Sequence, residues 1–452
     1  METIFTKYVE RVEQTETVHY IGAVIRVRGM LVESRGPQAV IGEICKIAVP
    51  SAQTYILAEV VGLYDTTVQL MTYGDTKGIE IGCTVTASGS VLQVAVGRQL
   101  LGRVLDATGK AYDKKGEIAA SVFYPALASP PDPLDRMPVK KRIVTGVRAI
   151  DSLLAVGKGQ RLGIFSGSGV GKSTLLGMIA RNTDADVNVI ALIGERGREV
   201  VDFLQRDLGE EGLKRSVVVV ATSDQSPIAR IRGAYTATAV AEYFRDQGKD
   251  VMLMFDSVTR FARAQREIGL AIGEPPAQRG YTPSVFETLP KLLERSGTSQ
   301  KGSITGFYTV LVDGDDMDEP VSDTVRGILD GHIVLNRKLA QAYHFPAIDI
   351  LASISRLAKR VSGPQTQKTV AAIRRSMAIY AESEDMITVG AYQKGSNPEV
   401  DAAIDLHPAI EKFLMQEEGE KTTIEKTLTD FGALAGIEIP SEEWDDKGAA
   451  AV

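Results

Sequence analysis

Residues 167–174 read Gly167, Ser168, Gly169, Val170, Gly171, Lys172, Ser173, Thr174, directly after the apolar stretch Leu162-Gly163-Ile164-Phe165. Leu175, Leu176, Met178 and Ile179 then continue at helical spacing. A buried strand that runs through a glycine-rich turn into a helix is the build of a phosphate-binding loop. The glycines let backbone N–H groups close around a polyphosphate, and the helix turns the positive end of its dipole toward it. Lys172 can reach the β/γ-phosphates, and the Ser173 hydroxyl can ligate Mg²⁺. The usual pattern has glycine at position 166. Ser166 therefore bears on the tightness of the first turn, not on the groups that carry chemistry. Read alone, the segment binds a nucleoside triphosphate or is a plain glycine-rich turn, and it does not separate a kinase from a GTPase or a motor.

A chain of 452 residues suggests about three domains. At 44% apolar residues it can bury a large core, and a net charge of −7 argues against a nucleic-acid surface as its main feature. The two cysteines, Cys45 and Cys83, lack metal-type spacing and lie in apolar contexts, which predicts buried, reduced thiols. No secretory signal and no apolar run of about 20 residues is visible, so a cytoplasmic protein is expected.

Ile4, Phe5, Tyr8, Val9 and Val12 outline one face of a short amphipathic helix, assigned to residues 1–18. Residues 19–97 hold short β-rich segments between glycine turns: Val24, Ile25, Val27, Leu31 and Val32, then 39–41, 55–61, 68–71 and 91–96. That spacing suits a small β-barrel. Five prolines across 125–138 predict an extended linker. Strand candidates at 162–165, 187–193, 217–221, 251–255, 303–312 and 333–335 alternate with helices such as 198–208 and 228–247. Alternation of this kind predicts an α/β domain with a parallel sheet over residues 98–365, carrying the phosphate-binding loop. Residues 366–452 read as a helical C-terminal domain, with Asn397-Pro398-Glu399 as a helix start.

Hydrolysis needs a second metal anchor, a group that positions water, counter-charges and a base pocket. Residues 251–256 form an apolar strand ending in Asp256, placed to hold Mg²⁺ through water or to cap the next helix. Gly194-Glu195-Arg196-Gly197-Arg198-Glu199 follows another apolar strand. Glu195 can polarise the attacking water and Arg196 can bridge phosphates or a neighbouring subunit; a solvated charge run at a helix start is the alternative.

These segments, with Asp256-Ser257-Val258-Thr259-Arg260 and residues 343–355, occur in the order found in the catalytic subunit of rotary ATP synthases. Segments 273–286, 315–336, 353–356 and 390–396 resemble the flagellar type III secretion ATPases more closely, and the resemblance spans about residues 20–415. It implies that residues 98–365 are a P-loop (RecA-like) ATPase domain with ATP as the substrate, Glu195 the catalytic base, Lys172 the phosphate-binding lysine, and Ser173 and Asp256 the Mg²⁺ anchors. Arg356, in Ser353-Ile354-Ser355-Arg356, would be an arginine finger acting across a subunit boundary. Phe345, before Pro346-Ala347, would stack on adenine or pack in the core, and Arg260 would line the phosphate site. Because Glu195 and Arg356 lie in one chain, a homohexamer could build every active site from copies of itself. The loop at 274–281, with Arg279 and Tyr281, would meet a central stalk protein in the pore or pack on the surface. The N-terminal helix would bind a stator-like regulator. Export-gate membrane proteins, export chaperones and their substrates complete the implied partners, at the inner face of the cell membrane. The alternatives are a virulence-type injectisome ATPase, a rotary catalytic subunit and, against the acidic charge, an RNA translocase.

Overall fold

The computed structural model describes residues 20–312, 314 and 316–444. The amphipathic helix expected within 1–18 lies outside the described residues. Six antiparallel strands close the N-terminal barrel: β1 (Ile21–Arg28), β2 (Leu31–Arg35), β3 (Glu43–Val49), β4 (Thr54–Tyr64), β5 (Thr67–Thr72) and β6 (Thr84–Val91), in the order β1-β2-β5-β4-β3-β6. Alternation works as expected, since Val24, Val32, Cys45, Ile47, Val60, Leu70 and Val85 turn inward to one core. Both cysteines are free and buried there. Two details differ from the sequence reading. Residues 39–41 form a turn, with Val40 and Ile41 exposed, and the strand begins at Glu43. Residues 93–96 leave the barrel to pair with Val122–Pro125, so part of the proline-rich stretch is strand.

The central sheet has the order Ile348–Ser355, Gly331–Leu335, Arg161–Ser166, Ser303–Leu311, Asp250–Asp256, Val187–Ile193, Ser216–Ala221, Val104–Leu105. All neighbours on this path are parallel except the first pair, which is antiparallel. The interior strands read as near-continuous apolar runs because helices cover both faces. The helix Pro227–Asp246 covers one face, and the P-loop helix Lys172–Asn182 packs on the other with the C-terminal helices.

Those C-terminal helices are Pro364–Thr388, Pro398–Leu414 and Ile424–Ala435. Asn397 caps the second through its side-chain oxygen, which accepts from the Glu399 N–H at 3.0 Å, with Pro398 in the first turn. The expected helix over 198–208 is an α-helical turn, Gly197–Asp202, continued by a wider π-helical turn, Phe203–Leu208.

Candidate active site

Every strand that feeds the site ends at the carboxyl edge of the sheet, so chain direction alone delivers the P-loop, Glu195 and Asp256 to one rim. Ser166 ends the strand Arg161–Ser166 without left-handed backbone, whereas Gly169 and Gly171 take φ of 78° and 87°. The turn therefore needs glycine at 169 and 171 and tolerates serine at 166. The Ser166 hydroxyl is buried without a partner. Gly171 precedes the helix Lys172–Asn182, which sets Lys172, Ser173 and Thr174 on its first turn beside Gly167, Ser168 and Val170.

The Lys172 ammonium donates to Asp256 Oδ1 at 2.5 Å and lies 3.6 Å from Glu195 Oε1. The Thr309 hydroxyl donates to the same Asp256 oxygen at 2.7 Å. Arg260 Nη2 lies 4.0 Å from Glu195 Oε2. A side chain at Gly194 would come within 2.8 Å of Arg260 Cβ, so glycine there lets Arg260 approach. Burial raises the Glu195 carboxyl, and the nearby Asp256 charge adds to the rise, bringing it to about 7 against the pull of Lys172. A carboxylate poised near neutrality can take a proton from water. Glu195 Oε1 is buried and makes no hydrogen bond.

A carboxylate, Asp256, and a first-turn hydroxyl, Ser173, at the same edge of the sheet are hard oxygen donors that suit Mg²⁺. Among the described residues no group of three or more His, Cys, Asp or Glu is arranged to hold an ion. The donors present therefore fit an ion completed by phosphate oxygens and water, not a cage built by protein alone.

Beside the loop lies a cavity of about 980 Å³ lined in part by Gly171, Met178, Tyr343, Phe345, Pro346 and Gln416. The Phe345 ring sits so close to the loop that a methyl added at Gly171 would touch it at 3.4 Å. The Gln416 N–H donates to the Phe345 carbonyl at 2.8 Å, so the C-terminal helical domain holds the ring over the cavity.

Not every expected residue joins this cluster. Arg196 points outward, its side chain 76% exposed and paired with Glu199 at 3.5 Å. Arg356 follows the antiparallel edge strand, whose last residue, Ser355, pairs with Gly331, while Leu335 pairs with Ser166. Arg356 thus stands exposed at the opposite end of the sheet from its own P-loop. Tyr281 is 3% exposed and its hydroxyl donates to Glu319 at 3.2 Å, so it packs inside and is not free to meet a stalk. Arg279 stays exposed, paired with Asp316 at 2.9 Å.

Sequence reasoning missed Thr309 and Gln416, and it named Glu199 only as the last residue of a charged run, without a role of its own. Glu199 is hydrogen-bonded to Glu195 and held below its usual range by that bond. Thr309 is one of several hydroxyl residues in the strand Ser303–Leu311, and only strand order places it beside Asp256.

Residues 146–355 match the model of the ATP synthase alpha/beta family, nucleotide-binding domain, and residues 24–89 match that family's beta-barrel domain. Residues 362–433 match the T3SS EscN ATPase C-terminal domain. A flagellum-specific ATP synthase of Treponema pallidum (strain Nichols) is 62% identical, over 96% of this chain and 98% of that one. The chain belongs to the flagellar and type III secretion branch of the ATP synthase alpha/beta family. The structure of the assembled ATPase EscN from the enteropathogenic E. coli type III secretion system superposes with a TM-score of 0.87 at 44% identity, covering 92% of this chain and all, 100%, of that one. EscN in complex with its central stalk EscO gives a TM-score of 0.85 at 44% identity, with the same coverage of 92% and 100%. Like its family, this protein is an ATPase.

Proposed function

We propose that this protein hydrolyses ATP in a homohexameric ring and so energises protein export through the flagellar type III apparatus. The observation that carries the reading is the division of the chemistry. Lys172, Glu195, Asp256 and Arg260 converge at one edge of the sheet, while Arg356 stands at the other end. A finger that cannot reach its own loop serves a neighbour's.

In this reading the P-loop amides and Lys172 hold the β- and γ-phosphates, and Arg260 adds counter-charge. Ser173 and Asp256 would hold Mg²⁺, which would supply positive charge to the phosphates. Phe345 stacks on adenine. Glu195 orients a water in line with the γ-phosphorus and takes its proton as the water oxygen bonds to phosphorus and the bond to the β–γ bridging oxygen breaks, leaving ADP and inorganic phosphate. Arg356 of the adjacent subunit stabilises the charge on the transferred phosphoryl group. Arg196, exposed at the rim, faces the subunit boundary and not the phosphates.

Replacing Glu195 with Gln tests the assignment. Turnover should fall by about 10²–10⁴-fold while a fluorescent ATP analogue still binds; turnover within a few-fold of the parent would remove Glu195 from the role of base.

The assembled EscN and its complex with a central stalk support a ring with a stalk partner. Among the described residues no helix is long and apolar enough to cross a membrane; peripheral attachment at the inner face of the membrane is part of this reading. Regulator binding by residues 1–18 is tested by deleting them and measuring capture of the regulator. Chaperones, substrates and gate proteins would then be met by the assembled ring. An injectisome role is the second reading, favoured by the match of residues 362–433 to the EscN C-terminal domain.

A further inference from the structure

The segment that carries Arg356 is tied to the strand that carries the same subunit's P-loop. Gln160 immediately precedes the strand Arg161–Ser166 and is 0% exposed. Its side-chain amide donates to Ser355 Oγ at 3.0 Å and to the Asp330 carbonyl at 3.1 Å. The Ser355 hydroxyl passes the bond on to the Ala155 carbonyl at 2.8 Å. The Arg356 N–H donates to that same Asp330 carbonyl at 3.0 Å. The Asp330 carboxylate in turn accepts the Arg161 N–H at 3.0 Å. Gly331 lets these segments meet, since a side chain there would come within 2.4 Å of the Ile354 carbonyl oxygen. The Gln160 carbonyl and side-chain oxygens are also occupied, by the N–H groups of Gly306 and Gly157, both at 2.9 Å, so the residue has little freedom to turn away.

We propose that Gln160 and Ser355 are positioning residues that hold Arg356 in register with the P-loop strand of their own subunit. A short, buried strand then links the two ends of the sheet. One end grips the subunit's own nucleotide, and the other aims the finger at the neighbour's. A shift of the loop strand on nucleotide binding would move the finger offered next door. The proposal rests on the reading of Arg356 as a finger in trans.

Complementation separates the roles. Arg356→Ala chains keep an intact site and lack the finger; Glu195→Gln chains keep the finger and have an inert site. Mixed before ring assembly, two inactive preparations should regain ATPase activity at sites shared between unlike neighbours. Ser355→Ala is then added to one chain type at a time, with Gln160→Met as a second variant and thermal unfolding as the folding control. In the Glu195→Gln chain, which donates the finger, it should lower kcat of the mixture by about tenfold or more without changing KM for ATP. In the Arg356→Ala chain it should leave kcat of the mixture unchanged. Equal losses in both placements, or no loss in either, would overturn the positioning role. An inactive mixture without either added substitution would overturn the finger in trans, and the positioning role with it.

Discussion

Glu195, proposed above as the base, shows how burial shifts the carboxyl of a surface-type residue. Its carboxyl stands near 7 because water is excluded and Asp256 is close. A base must be ionised to accept a proton, and a raised carboxyl is protonated below its pKa. The rate at limiting ATP, kcat/KM, should therefore fall as pH drops below about 7 and level off above it. A pH–rate profile of the parent protein checks this; an acid limb near 4.5 would mean that Glu195 behaves as a solvated glutamate. At the other side of the loop, Phe345→Ala removes the stacking face over the cavity. Base–aromatic stacking contributes about 1–3 kcal/mol, so KM for ATP should rise by roughly tenfold or more with kcat little changed. Steady-state kinetics distinguish this from core packing, for which thermal stability would drop and KM would stay.

At the scale of elements, the barrel is fastened to the catalytic domain by a buried ion pair. Glu59 of β4 is 1% exposed and receives Arg232 Nε at 2.7 Å, from the helix Pro227–Asp246, with a second bond from the same guanidinium. The Tyr73 hydroxyl donates to Glu59 as well, at 2.8 Å. Removing one partner strands a buried charge, so Arg232→Ala should cost about 3–5 kcal/mol in denaturant unfolding. The double change Glu59→Gln with Arg232→Met should recover most of that, because neither buried group then carries unpaired charge. A loss in the double variant as large as in the single would show that shape, not charge, holds the domains. This pair was not legible in the sequence. Glu59 lies in the strand Thr54–Tyr64 and Arg232 in the helix Pro227–Asp246, and nothing along the chain pairs the two charges before these elements meet.

At the scale of the molecule, the proposed sharing of each site between neighbours would make activity depend on assembly. ATPase activity per chain should rise with protein concentration and level off once rings are complete; equal activity per chain in a preparation shown to be monomeric by sedimentation would exclude the shared site. The P-loop, the carboxylates at the ends of apolar strands and the start of the Pro398–Leu414 helix were all readable along the chain. Each depends on a run of neighbours in sequence, and strand direction alone carries Lys172, Glu195 and Asp256 to one rim. The tertiary fold settled what depends on contacts between distant segments. It put Thr309 beside Asp256 through strand order, turned Tyr281 inward and Arg196 outward, and raised Glu195 by burial. It also carried Arg356 to the far end of the sheet by reversing its edge strand. Sequence periodicity encodes which element forms and which way it runs, whereas burial, charge state and reach are set by what packs against it.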